Sequence, residues 1–239
     1  MTGYTRKNVL ILDCAPFTGG AQRSIVEIVP GLIDQGWTPR VVAADHTPGG
    51  VLDSCRKAGI PVCELTTRHW RRTLGGGLRF VVDRVLAGRT IRRAVEEWRP
   101  EVIHANGIRA GLLIPGAICR SIPVCLHDRD LRVPQWAVRR MTRRARCVVA
   151  ISECVAAKWA STTVDVRVIP NGLDLDAWNR AADAPLSNAV KGAPVLILVA
   201  DLMPWKRHTV FLDALAETRR RAPDASGLVV GRCRDEAGQ

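Results

Sequence analysis

Seven short apolar runs recur along the chain between stretches of helical periodicity: Val9–Leu12, Val41–Ala44, Val62–Leu65, Val102–Ala105, Val124–Leu126, Cys147–Ile151 and Val166–Ile169. They are of strand length, and most are apolar throughout rather than alternating with polar residues. A strand of that kind must be covered on both faces, and strands that alternate with helices are covered by those helices. The expected fold is therefore α/β, with a doubly wound parallel sheet. The first helix is expected to bury Ala21, Ile25, Ile28, Val29, Leu32 and Ile33 and to stop at Gly36. Pro30 should bend it by removing the bond to residue 26. A second helical pattern runs from Leu78 through Val81, Val82, Val85, Ile91 and Val95 to Trp98 and ends before Pro100. Gly88 weakens its middle by about 1 kcal/mol.

From Asn179 to Pro194 periodicity gives way to Ala, Asp, Pro, Ser, Asn and Gly, the chemistry of a linker. A new cycle then begins with a strand at Val195–Val199, a helix at Thr209–Arg221 closed by Pro223, and a strand at Gly227–Val230. The expected organisation is one domain over residues 1–178, a linker over 179–194 and the start of a second domain over 195–239. A strand–helix–strand unit of about 45 residues lies near the lower limit for independent folding and leaves its small sheet largely uncovered. The second domain is thus expected to be incomplete.

Of the 239 residues, 47% are hydrophobic and 24% charged, which excludes disordered and collagenous classes. The apolar stretch Ala110–Ile118 is interrupted by Pro115 and Gly116 and falls short of the ~18 residues that a membrane span needs. Val9–Leu12 ends at Asp13, too short for the core of a signal peptide, so a cytoplasmic location is expected. The eight cysteines (14, 55, 63, 119, 125, 147, 154 and 233) form no Cys-x-x-Cys pair, and no metal site is expected. Most should act as small buried hydrophobes in a reducing compartment. The net charge of +12 comes from 30 arginines and 5 lysines against 23 acids, and it implies an anionic partner. Two basic runs, Arg68–Arg72 with Trp70 and Arg139–Arg146 with Trp136 nearby, suit a solvated face or the interface of an anionic membrane. Peripheral association at the inner face of the cell membrane is the expectation. No recognised motif favours nucleic acid.

The first strand empties into Pro16-Phe17-Thr18-Gly19-Gly20-Ala21-Gln22-Arg23, a glycine-bearing turn that opens a helix. Amide N–H groups at such a start bind phosphate or carboxylate, although a tight turn requiring glycine explains the same residues. The third glycine of a dinucleotide fingerprint is missing. Asp45, after the second strand, nevertheless stands about where a ribose-binding acid would, which keeps a nicotinamide-dependent oxidoreductase as an alternative. His104 and His127 close strands at the edge where an open parallel sheet presents residues to a crevice. Asp128 and Asp130 follow His127 and are expected to orient or charge its imidazole. His69 lies in the first basic run and is expected on a solvated surface.

Two later strings are more specific: Val168-Ile169-Pro170-Asn171-Gly172-Leu173-Asp174, and Val199-Ala200-Asp201-Leu202-Met203-Pro204-Trp205-Lys206-Arg207-His208. A strand ending in Pro-Asn-Gly, a linker, then a strand followed by a lysine-bearing loop and a helix resembles the junction of a GT-B glycosyltransferase of family 4. Gly19-Gly20-Ala21-Gln22-Arg23 resembles that family's turn approaching the donor phosphates. Glu101-Val102-Ile103-His104-Ala105, Val124–Asp128 and Val148-Val149-Ala150-Ile151-Ser152-Glu153 resemble three of its strand motifs. The resemblance implies Rossmann-like domains and transfer of a sugar from a nucleotide diphosphate, with retention and without a metal or cofactor. It implies a glycan, a lipid-linked molecule or a small molecule as acceptor. It implies His127 at the reaction centre, Gly19, Gly20 and Lys206 on the donor phosphates, and His104, Asn106, Asp128 and Asn171 around the substrate cleft. The family usually has Arg at Asp201 and Gly at Arg207, and its two glutamates seven residues apart have no counterpart before Gln239. A donor half that is only begun, with weak or no turnover by this chain, is the expectation; a non-catalytic acceptor-binding module completed by a partner is the alternative.

Overall fold

The computed structural model describes residues 7–45, 47–65, 76–182 and 193–231. The chain divides into two compact units, residues 1–173 and 174–239. In the first, strands β1 (Lys7–Leu12), β2 (Trp37–Ala43), β3 (Val62–Glu64), β4 (Val102–Asn106), β5 (Val124–Asp128), β6 (Cys147–Ala150) and β7 (Asp165–Val168) make one sheet. Its order is β3-β2-β1-β4-β5-β6-β7, and every pairing is parallel. Each of the seven apolar runs contributes one strand. The direction of winding reverses between β1 and β4, and the carboxyl ends of these two strands flank the crevice where ligands of such sheets bind.

Helices α1 (Gly20–Asp34), α2 (Val51–Lys57), α3 (Gly76–Trp98), α4 (Ile108–Leu113), α5 (Gly116–Ser121), α6 (Gln135–Thr142) and α7 (Glu153–Ala156) connect the strands. Successive strand residues point to opposite faces, and the core divides accordingly. Leu10, Leu12 and Val42 join Ile91 and Trp98 of α3, Ile108 and Leu112 of α4, and Met141 of α6. Val9, Ile11, Val41 and Ala43 join Ile25 and Val29 of α1 and Leu52 and Cys55 of α2. Each fully buried Leu or Ile contributes roughly 1.5–3 kcal/mol. Helix α1 continues past Pro30 to Asp34, and Gly36 ends it in a left-handed conformation (φ +80°) with its N–H on Ile33 O.

The second unit contains α8 (Leu175–Ala182), β8 (Val195–Val199), α9 (His208–Arg221) and β9 (Ser226–Val230), with β8 and β9 parallel. The expected linker is therefore helical over residues 179–182, because Arg180, Ala181 and Ala182 are good helix formers that composition alone counted as linker. Phe211 and Leu215 of α9 lie so close to Gly227 that a Cβ there would stand 2.6 Å from Leu215 Cδ2. Helix α9 thus covers the sheet face that Gly227 shares with Leu196. Val195, Ile197 and Val199 alternate to the other face and are exposed, Val199 by 76%.

Candidate functional site

The crevice beside β1 and β4 is built on a buried carboxylate. Asp13 follows β1 directly, and its Oδ2 accepts from Gln22 Nε2 (2.9 Å) and Asn106 Nδ2 (2.6 Å), while Oδ1 accepts from the Ala15 N–H (2.8 Å). Burial pushes the Asp13 carboxyl above its ordinary range despite these three donors. Asn106, at the end of β4, donates also to Ala21 O (3.1 Å), so the switch point is tied to the first turn of α1. Gln22 accepts from the Gly19 N–H with its Oε1 (3.0 Å). Gly19 caps α1 in this way and has spent its amide, whereas the N–H groups of Gly20 and Ala21 open the helix without an acceptor among the described residues.

Arg129, one residue past β5, links this base to the histidines. Its Nε donates to Asn106 Oδ1 (3.2 Å), Nη1 to Asn171 Oδ1 (2.5 Å), and Nη2 to Ser24 Oγ (2.5 Å) and His127 Nδ1 (3.1 Å). A guanidinium only donates, so Nδ1 of His127 accepts and the ring proton sits on Nε2. That Nε2 is buried and without a partner among the described residues, as is the Nε2 of His104. The two rings stack edge to face with centroids 5.3 Å apart. Burial, then the Arg129 charge, pushes His127 down to about 3 and His104 to about 4, so both imidazoles are neutral at pH 7.

Asp128 and Asp130 do not orient or charge His127. The Asp128 carboxylate lies buried against Trp159 Nε1 (2.7 Å) and Lys158 Nζ (2.8 Å), because consecutive strand residues face opposite ways. It anchors the end of β5 to the segment after α7 rather than facing the histidine pair. The hydrogen-bond partner of the His127 ring is Arg129, a cation. Asp45 is likewise committed: it accepts from Thr18 Oγ1, from Thr47 N (2.9 Å) and Oγ1 (2.5 Å), and from Val51 N (3.2 Å). Burial opposes its charge, yet these bonds hold its carboxyl below the ordinary value. A Cβ on Gly50 would stand 2.4 Å from Asp45 Oδ2, so the loop closes on the carboxylate and leaves it no oxygen for a ribose.

The sequence-predicted residues Gly19, Gly20, His104, Asn106, His127 and Asn171 are thus brought together in the first unit. Asn106 is saturated and acts as a strut; Asn171 is exposed and held only by Arg129 among the described residues. Sequence reasoning missed Arg129, Asp13, Gln22 and Ser24. The signal for Arg129 was its place in His127-Asp128-Arg129-Asp130, at the carboxyl edge of a parallel sheet. In the second unit, Lys206 is exposed in a 3-10 turn (Pro204–Lys206) before α9. Arg207 follows it in the left-handed region (φ +58°), the conformation that explains glycine at this position in the resembling family. The basic run Arg68–Arg72, with His69 and Trp70, lies outside the described residues, as does Cys233. Trp136 is 56% exposed on α6, which also carries Arg139 and Arg140. Among the described cysteines only Cys55 is fully buried; Cys154 is exposed and the others are half-buried, so their expected burial holds in part.

The model of Glycosyltransferase Family 4 matches residues 18–177. A GDP-mannose-dependent α-(1-6)-phosphatidylinositol monomannoside mannosyltransferase of Mycolicibacterium smegmatis is 28% identical over 133 residues, covering 51% of this chain and 35% of that protein. Among solved structures, Anabaena HepE in complex with UDP and glucose superposes with a TM-score of 0.65 at 22% identity, over 95% of this chain and 62% of that one. A glycosyltransferase from Rickettsia africae gives 0.65 at 18% identity, over 95% and 61%. The chain therefore spans less than two thirds of the length of these proteins. The structural likeness establishes the GT-B fold, and the family match covers the Gly19–Gly20 turn, the paired histidines and Asn171 together: the chain belongs to glycosyltransferase family 4.

Proposed function

We propose that the chain acts in transfer of a sugar from a nucleotide-diphosphate donor to an acceptor hydroxyl, with retention at the anomeric carbon and no metal requirement. The observation that carries this reading is the unspent N-terminal amides of a 15-residue helix, Gly20 and Ala21, tied by Asp13, Asn106 and Arg129 to His127. The chemistry asks for stabilisation of a departing diphosphate. Amides at a helix start supply it without reorganisation, and Lys206 adds a cation from the second unit by the family's pattern. His127, neutral and with its proton on Nε2, serves as a hydrogen-bond donor to the sugar rather than as a base. A buried donor without an acceptor costs about 1–3 kcal/mol, which a ligand oxygen would recover. His104 packs against the His127 ring, and Asn171 and Arg129 line the acceptor side. Asp201 stands where the family has arginine, so that cation is missing from the donor contacts.

The HepE complex with UDP and glucose and the GDP-mannose-dependent relative support a nucleotide sugar as donor. Calorimetric titration of the full chain with UDP and GDP, and single-turnover transfer from their sugars to glycan, lipid-linked and small-molecule acceptors, tests the reading. Saturable but weak binding by one nucleotide, weakened further at least tenfold by Lys206→Ala, is expected, with little or no transfer by this chain and retained configuration in any product. Binding of an acceptor but of neither nucleotide would favour an acceptor-binding module, and binding of NAD but of neither nucleotide would sink the proposal. Peripheral association with an anionic membrane rests on exposed Trp136 beside Arg139 and Arg140. It predicts salt-sensitive co-sedimentation with anionic vesicles and little with neutral ones.

A further inference from the structure

The opposite edge of the first unit's sheet carries a second concentration of positive charge. Helix α5 ends at Ser121 and β5 begins at Val124, while α6 ends at Thr142 and β6 begins at Cys147. Because β5 and β6 are parallel, both turns lie at the amino edge, a strand's length from His127. Between them is an open groove of about 340 Å³, whose lining includes Arg120, Ser121, Thr142, Arg143, Arg144 and Arg146. That size lies within the range of small-molecule sites.

The groove's hydroxyls are already committed: Ser121 Oγ donates to Ala117 O and Ile118 O, and Thr142 Oγ1 to Val138 O. Its guanidiniums are not. Arg144 donates to Ile114 O (3.1 Å), but Arg120, Arg143 and Arg146 make no side-chain hydrogen bond, and none of the four forms an ion pair among the described residues. A Cβ at Gly116 would stand 3.4 Å from Arg144 Nη2 and 3.8 Å from Arg120 Nη1, so these two guanidiniums approach one spot, Arg120 from α5 and Arg144 from the turn after α6. Burial and then repulsion from Arg140 and Arg84 weaken the hold of Arg144 on its proton, as expected where cations gather without a counter-charge. The carbonyl ends of α5 and α6 attract cations here, and Arg144 is accounted for by its bond to Ile114 O at the end of α4. Three guanidinium forks are left unmatched, and the fork geometry suits phosphate oxygens in bidentate contact.

We propose that this groove is a second binding site, for a small phosphate-bearing anion, separate from the crevice at the carboxyl edge. Such a ligand is either free in solution or the headgroup of a lipid. The test is protection of arginine from phenylglyoxal in the full chain at 150 mM salt, read by peptide mass, with inorganic pyrophosphate, phosphatidylglycerol vesicles and phosphatidylcholine vesicles as probes. Protection of Arg120, Arg143 and Arg146 at least fivefold above that of Arg89 and Arg92 on α3 is expected. Pyrophosphate protection assigns a free anion, and protection by phosphatidylglycerol alone assigns a headgroup. Protection by neither, or equal protection of Arg89 and Arg92, overturns the site. Calorimetry gives an independent reading. Arg143→Gln/Arg146→Gln should weaken binding of the effective probe at least tenfold, while the charge-matched Arg89→Gln/Arg92→Gln should bind as the unaltered chain does. Equal losses in the two would reduce the effect to bulk charge and overturn it.

Discussion

One guanidinium holds the candidate site together. Arg129 spends its donors on Asn106, Asn171, Ser24 and His127, and through His127 Nδ1 it decides which ring nitrogen carries the proton. Arg129→Met keeps much of the side chain's bulk and removes every one of these bonds. It should lower stability in urea by about 1–3 kcal/mol, since the buried Asn106 Oδ1 loses its donor. The same variant should move His127 upward toward its ordinary value, because the repelling cation is gone. An NMR titration that leaves His127 unmoved would contradict the role given to Arg129. The histidine pair also makes stability depend on pH. Both rings titrate lower in the folded chain (about 3 and about 4) than the ordinary 6.5 of an unfolded one. The unfolded state therefore binds more protons below pH 6.5, and stability present above that pH is lost as pH falls toward 4. The loss should be about 3 kcal/mol for each ring. His104→Phe/His127→Phe should flatten the denaturation midpoint between pH 4 and 6.5; an unchanged slope would remove the pair as its cause.

At the scale of elements, the turn between β4 and α4 is the most demanding. Gly107 has φ +99° and ψ 158°, a region open almost only to glycine, and its N–H donates to Ala105 O (3.0 Å) and His127 O (2.9 Å). This turn lets β4 hand the chain to α4 while fixing the backbone of His127. Gly107→Ala should cost about 1–3 kcal/mol and disturb the His127 resonances, whereas Gly20→Ala, with open space around its Cβ, should leave them in place. Thermal melts and an NMR spectrum of each variant decide between these outcomes. Helices α4 and α5 flank Pro115, and at six residues each they are too short for an apolar period to emerge. Ala110–Ile118 accordingly reads in sequence as one broken apolar stretch, although it is two helices meeting at a proline that caps the second.

At the scale of the molecule, the two units differ in how completely they bury their sheets. The first covers both faces of its central strands, whose large buried side chains include Leu10, Ile11, Leu12, Ile103 and Leu126, and only its edge strand β7 is largely exposed. The second covers one face of two strands, and among its described hydrophobic residues only Ala225 is fully buried. Residues 1–173 alone should therefore fold, with a melting midpoint within about 3 °C of the main transition of the full chain, a shift that corresponds to under about 1 kcal/mol for a domain this size. Hydrogen exchange should find β8 and β9 far less protected than β1, by a factor of a hundred or more, since few buried contacts resist their opening. Equal protection of β8 and β1 would show that the second unit's stability rests on something beyond its own contacts.

The sequence by itself determined the architecture. Apolar runs such as Val9–Leu12 and Val102–Ala105 must be covered on both faces, and with helical patterns between them only a doubly wound parallel sheet does that. It also located the ligand edge, because strand ends in a parallel sheet share one side and Gly19, Gly20, His104, His127 and Asn171 all follow strands or close them. Which of those residues face the crevice was decided only by the tertiary structure. His127 and Asp128 are adjacent in sequence, yet the pleat sends one toward Arg129 and the other toward Trp159 and Lys158. The roles of Asp13, Asn106 and Arg129 were likewise hidden, since a bond between residues 13 and 106 leaves no local pattern. Burial and long-range charge set the protonation of the histidines, and neither quantity exists until the strands have come together.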